Sequence, residues 1–215
     1  MRWILLAALL APPVAAQVAF DLSIGPAVAW TEGTDVVRDE TGGPVLVGSF
    51  RPPVTVGLQG GLGVTVRGRS LGARVGGRLL NTTALYDGDQ ALSRQALETS
   101  FVTLQLDLSY IRSLGPVSAY VFGGPEARYL VDLSGDLARV SDLRDGADLL
   151  SVAANLGAGL RLDLLGVRLG PELRYALDLT GVGGDHDVVV DDGDTLRLGG
   201  FDVDTLLIGL VFGGP

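Results

Sequence analysis

Cysteine is absent from the 215 residues, histidine occurs once, and lysine is missing too, so all 16 basic residues are arginine. Without cysteine there is no disulfide framework, no thiolate zinc site and no thiol nucleophile. Positive charge is itself scarce: 25 acidic residues leave a net charge of −9. That balance argues against nucleic acid as a partner, because phosphate binding needs basic patches. Long apolar runs are missing as well. Hydrophobic residues reach 47% and charged ones only 19%, yet nothing beyond the first dozen positions approaches the roughly 20 residues of a spanning helix. The chain is oily throughout and nowhere continuously so. Glycine, at 32 residues, is about twice its usual share.

The first segment reads as an export signal. Met1-Arg2 is a short positive start, Trp3 to Leu10 is apolar, Pro12-Pro13 breaks the run, and Val14-Ala15-Ala16 offers small residues for cleavage. The expected division is therefore a signal peptide over 1–16 and a single domain over 17–215.

Within that domain the apolar residues recur at every second position, the period of a strand with one oily face. From Thr55 to Val66, Val56, Leu58, Leu62 and Val64 alternate with Thr55, Gln59 and Thr65. Val102, Leu104, Leu106, Leu108 and Tyr110 alternate with Thr103, Gln105, Asp107 and Ser109. Six further stretches behave alike: Phe20–Val28, Leu71–Leu80, Val117–Tyr129, Val152–Asp163, Val167–Leu179 and Leu206–Phe212. Their connections alternate strictly. Tight links fall at Arg67–Ser70, Ser113–Gly115 and Leu164–Gly166, and long ones at Thr31–Pro53, Asn81–Ser100, Asp132–Asp148 and Thr180–Gly200. The predicted fold is an all-β, eight-stranded antiparallel up-and-down transmembrane barrel with three short periplasmic turns and four long outer loops.

Charge placement decides which face points where. The polar faces hold Asp21, Asp107, Glu126, Asp163, Glu172 and Asp178 against Arg74, Arg78, Arg128, Arg161, Arg168 and Arg174. Six acids against six bases suits a closed interior, where an unpaired charge is expensive and a paired one tolerable. Arginine, with its planar fork, bridges carboxylates well. The opposite faces carry no charge at mid-strand, where facing lipid would cost about 2–4 kcal/mol. These twelve residues are the expected lumen charge network. A soluble calyx would need the reverse, an apolar inside and charges scattered outside. Pro26, Pro125 and Pro171 interrupt three of the strands, and each should delete one ladder hydrogen bond.

One hexad occurs twice, Gly124-Pro125-Glu126-Ala127-Arg128-Tyr129 and Gly170-Pro171-Glu172-Leu173-Arg174-Tyr175. With Val56–Gly63, Tyr120–Tyr129, Leu156–Leu162 and Pro171–Leu179 lying in order, the chain resembles the PorT-like outer-membrane β-barrel family. The resemblance implies the outer membrane of a Gram-negative cell, and it implies no shared catalytic residue.

Candidate chemistry is thin. His186 lies between Asp185 and Asp187, but a hydrolase acting on lipid A or peptides needs a nucleophile beside its base. The nearest hydroxyls in sequence are Thr180 and Thr195. The cluster Asp185, Asp187, Asp191, Asp192 and Asp194 suggests a hard cation, yet Val190 stands where a calcium loop has its glycine and no Glu closes it. No catalytic, cofactor or metal residue is assigned. The expected role is a non-enzymatic structural or interaction protein, a monomer set in outer-membrane lipid and lipopolysaccharide. Its acidic outer loops would meet extracellular proteins or divalent cations. A narrow porin-like channel and the hydrolase are the alternatives.

Overall fold

Alternating oily and polar side chains can satisfy every backbone group and still leave one face for lipid only if the sheet closes on itself. The chain does close. The computed structural model describes residues 17–33, 35–40, 43–49, 54–86, 95–135, 149–182, 186–189, 195–198 and 201–214. Side chains are described over 17–30, 54–82, 98–132, 149–182 and 202–214. The expected signal peptide lies outside the described residues.

Eight strands form the wall: β1 (Gln17–Gly33), β4 (Thr55–Arg67), β5 (Leu71–Tyr86), β6 (Gln95–Leu114), β7 (Val117–Gly135), β8 (Leu150–Leu164), β9 (Val167–Asp178) and β12 (Phe201–Gly213). Each pairs antiparallel with its neighbour in sequence, and β1 pairs with both β4 and β12, closing the barrel. The three tight turns fall where the alternation places them. Gly115 (φ 75°) opens the two-residue turn between β6 and β7, and Leu165 (φ 51°) and Gly166 (φ 87°) form the one between β8 and β9. Positive φ in these positions matches the right-handed twist of the flanking strands.

The long connections are more ordered than the alternation suggests. Strand β5 continues to Tyr86, β6 starts at Gln95, and β7 runs on to Gly135, so β6 and β7 reach 20 and 19 residues. A tilted strand crosses a bilayer in about 9–11. The stretches expected as the first and last outer loops contain four more strands: β2 (Asp35–Glu40), β3 (Gly43–Ser49), β10 (His186–Val189) and β11 (Thr195–Leu198). They form one sheet in the order β10-β11-β2-β3, joined by Leu196↔Arg38 and Arg197↔Val37. Two causes combine. Val36-Val37, Val45-Leu46-Val47 and Val188-Val189 are β-favouring runs, and the β1–β12 seam brings the two connections side by side.

Side chains divide by parity along every barrel strand. Outward stand Leu58, Leu104 and Leu156, at 70%, 61% and 68% exposure, while Arg128 and Arg174 inside are at 0% and 1%. Phe20, Tyr110 and Phe212 ring the turn end on the outside, with Trp30, Tyr129 and Tyr175 toward the loop end. Trp30 and Tyr175 meet edge to face, 6.5 Å between centroids.

The three prolines mark gaps in the ladder. Regular pairing breaks between Ile24↔Leu210 and Ala27↔Leu207, between Gln105↔Glu126 and Leu108↔Gly123, and between Gly159↔Glu172 and Leu162↔Leu169. Pro26, Pro125 and Pro171 all face outward, and each follows a glycine. A Cβ on Gly25, Gly124 or Gly170 would lie 2.0, 1.9 or 1.7 Å from the carbonyl oxygen of Ile208, Leu106 or Leu160. The carbonyl that lost its N–H partner thus occupies the space that only glycine leaves free.

Candidate functional site

Parity sends the polar residues of eight strands into a lumen that eight strands can barely hold open. At its centre four charges close a square. Arg74 on β5 donates from Nη1 and Nη2 to Glu172 on β9 at 2.9 and 3.0 Å, and from Nε to Asp107 on β6 at 3.0 Å. Arg174 grips Asp107 with both terminal nitrogens, at 3.1 and 2.7 Å, and reaches Glu172 at 3.4 Å and Asn155 at 2.9 Å. The Tyr120 hydroxyl donates to Glu172 at 2.8 Å. Two arginines against two carboxylates leave the square neutral, with forked bonds on two opposite sides. This is the condition under which buried ions are tolerated.

Aromatic rings fill the space between. The guanidinium groups of Arg74 and Arg174 both lie over Phe122, 4.9 and 4.4 Å from its centroid, and Arg161 covers Tyr120 at 4.7 Å. Both rings lie across glycines of β8. A Cβ on Gly157 would come within 2.2 Å of the Phe122 ring and 2.5 Å of the Leu173 carbonyl, and one on Gly159 within 2.4 Å of the Tyr120 hydroxyl. Gly157→Val is therefore expected to destabilise the barrel by about 1–3 kcal/mol through overpacking, read as a lower urea midpoint for the loss of folded-form gel mobility.

Toward the loops, Arg128 donates to Glu126 at 2.9 Å, to Thr205 at 3.1 Å and to the Val203 carbonyl, with Asp178 at 3.8 Å. Asp178 in turn accepts from the backbone N–H groups of Thr180, Gly181 and Val203. Above this level Leu80, Phe101 and Leu130 form one register row of buried apolar side chains. Toward the turns, Asp21 accepts from Thr65 and from Arg161 at 3.4 Å. Arg168 donates to Asp163 at 3.1 Å where the lumen opens to the turn side, and Asp163 there is exposed. A small cavity in the turn-side half, lined by Thr65, Arg74, Asp107, Tyr120, Phe122 and Arg161 among others, has about 10 Å³. That is room for about one water molecule.

Eleven of the twelve residues named from sequence thus meet a partner of opposite charge. Arg78 does not. It donates to Gln105 at 2.7 Å, and its Nε and Nη1 are buried without a hydrogen-bond partner. Sequence reasoning set Gln105 and Asn155 on the polar faces without adding them to the charge network, and left out Tyr120 and Phe122, although all four share the parity of the charges. Of the candidate cation loop, Asp185, Asp191, Asp192 and Asp194 lie outside the described residues. His186 opens β10 opposite Leu198, and Asp187 pairs in register with Arg197.

The fold is that of small outer-membrane barrels. The outer-membrane protein OprG of Pseudomonas aeruginosa aligns over 92% of this chain and 96% of its own, with a TM-score of 0.55 and 14% identity. The outer-membrane protein AlkL, solved in lipid bilayers, aligns over 92% of this chain and 90% of its own, with a TM-score of 0.49 and 18% identity. At 14% identity the likeness to OprG is one of fold alone. No protein-family model and no curated protein matches the chain, so the PorT-like resemblance rests on its quoted motifs.

Proposed function

We propose that the chain is a non-enzymatic outer-membrane barrel with a closed lumen, a structural or interaction component of the envelope that works through its outer loops. The observation that carries the reading is the filled interior: among the described residues, a neutral four-charge square, two aromatic rings and an apolar row leave no bore for a solute. The wall supports the membrane setting. From Val102 to Tyr110 on β6, and at the same height on the other barrel strands, no outward position bears a charge. A water-soluble protein does not expose so large a continuous apolar surface. Lipid and lipopolysaccharide would cover it, and the acidic loops beyond would meet extracellular proteins or divalent cations. The barrel would work as a monomer.

Two measurements test this. Detergent-extracted protein should migrate differently on a gel before and after boiling, and planar bilayers containing it should show no steady conductance steps. Stepwise currents would overturn the closed lumen in favour of a narrow channel. Unchanged mobility together with solubility free of detergent would overturn the membrane setting.

A further inference from the structure

The outward wall is unevenly filled. Across β7, β8 and β9 it carries the small side chains of Ala119 and Ala158 and the ring of Pro171, while Tyr110, Leu160, Leu173 and Ile208 stand around them. The result is an open, almost wholly apolar groove of about 540 Å³ on the outer surface, with Arg112 at its turn-side end. That volume lies within the range in which clefts bury most of a small ligand.

A second cation sits beside the first. The Ile111 N–H donates to the Ser70 carbonyl at 2.8 Å, and Leu71 is the register partner of Tyr110. Continuing that antiparallel register places Arg69 next to Arg112. Both are exposed, and neither has a carboxylate or hydrogen-bond partner among the described residues. Like charges opposed across a strand pair repel. A phosphate between them would relieve the repulsion and match two guanidinium forks.

We propose that this corner of the barrel holds one anionic glycerophospholipid of the turn-side leaflet, its phosphate between Arg69 and Arg112 and one acyl chain in the groove. The inference rests on the reading of the wall as membrane-facing. An acyl chain gains little by leaving other acyl chains for leucine and alanine, so the groove selects by shape and the arginine pair by charge. Basic sites at the membrane surface recruit anionic headgroups in this way.

The test folds the mature chain into nanodiscs of equimolar phosphatidylglycerol and phosphatidylethanolamine, extracts it in mild detergent, and reads retained lipid by native mass spectrometry. Wild type is expected to keep one phosphatidylglycerol, with a preference on the order of tenfold. R69Q/R112Q, altered only at exposed positions, should lose the preference while keeping the wild-type gel shift. A158F should retain less lipid of either kind, because its ring fills the groove. Equal retention of the two lipids by wild type, or a preference unchanged in R69Q/R112Q, overturns the proposal; retention unchanged in a folded A158F removes the groove from it. Absence of a gel shift in wild type would instead sink the barrel reading on which it rests.

Discussion

Glu172→Leu is expected to lower the unfolding free energy by about 3–5 kcal/mol, the scale seen when one partner of a buried ion pair is removed. The size follows from what Glu172 holds. It accepts both terminal nitrogens of Arg74, one of Arg174 and the Tyr120 hydroxyl, and leucine returns none of these bonds. Two guanidinium groups would then share the single carboxylate of Asp107, beside a cavity with room for about one water. Adding Arg74→Met to Glu172→Leu should restore most of the loss, because it leaves a neutral, doubly bonded Arg174–Asp107 pair in an otherwise apolar setting. Urea titration in lipid vesicles, read by gel mobility, gives both numbers. A cost below about 1 kcal/mol for Glu172→Leu alone would mean that water reaches the square freely, and the closed-lumen reading would fail with it.

Leu104→Arg should cost about 2–4 kcal/mol when the barrel is folded in a bilayer, the depth-dependent penalty for a cation on a lipid-facing strand at mid-height. Leu104 points outward at 61% exposure, so the same change on a water-facing wall would alter stability by no more than about 0.5 kcal/mol. Few single substitutions separate the two settings so widely. The same titration in vesicles decides it, and a near-neutral Leu104→Arg would show that the apolar face does not lie against hydrocarbon. Leu71→Arg, next to the turn and the Tyr110 level, provides the internal control, since the penalty falls to about 0–1 kcal/mol near the interface.

Period-two alternation exposed most of this architecture because a closed barrel allows one arrangement per face. Once Thr103, Gln105 and Asp107 are known to share a side, Leu104 and Leu106 must take the other. The same parity already places Tyr120 and Phe122, which pack within the network, and Leu80, which caps it, on the charged side, and extending it by one residue adds Phe101, the other cap. What alternation could not reveal depends on contacts between segments far apart in sequence. The sheet shared by the first and last outer loops exists because β1 lies against β12, and no local pattern announces that adjacency. Arg78 is the converse case. Its parity is right, but Arg128, two strands over in the same register row, takes Glu126, while Arg74 and Arg174 hold Glu172, an outcome set by side-chain reach and not by spacing.

Alternation also leaves one question open within the wall itself. Sliding a strand by two residues keeps oil outside and ions inside, so hydropathy cannot tell the native stagger from its even-numbered neighbours. The Gly-Pro pairs at 25–26, 124–125 and 170–171 can. Each proline withdraws a donor at one height, and each glycine receives the displaced carbonyl at that height alone; two residues away, a Cβ stands in the same space. They act as indexing notches on three separate seams, and a closed ring admits no stagger on one seam without a compensating change on another.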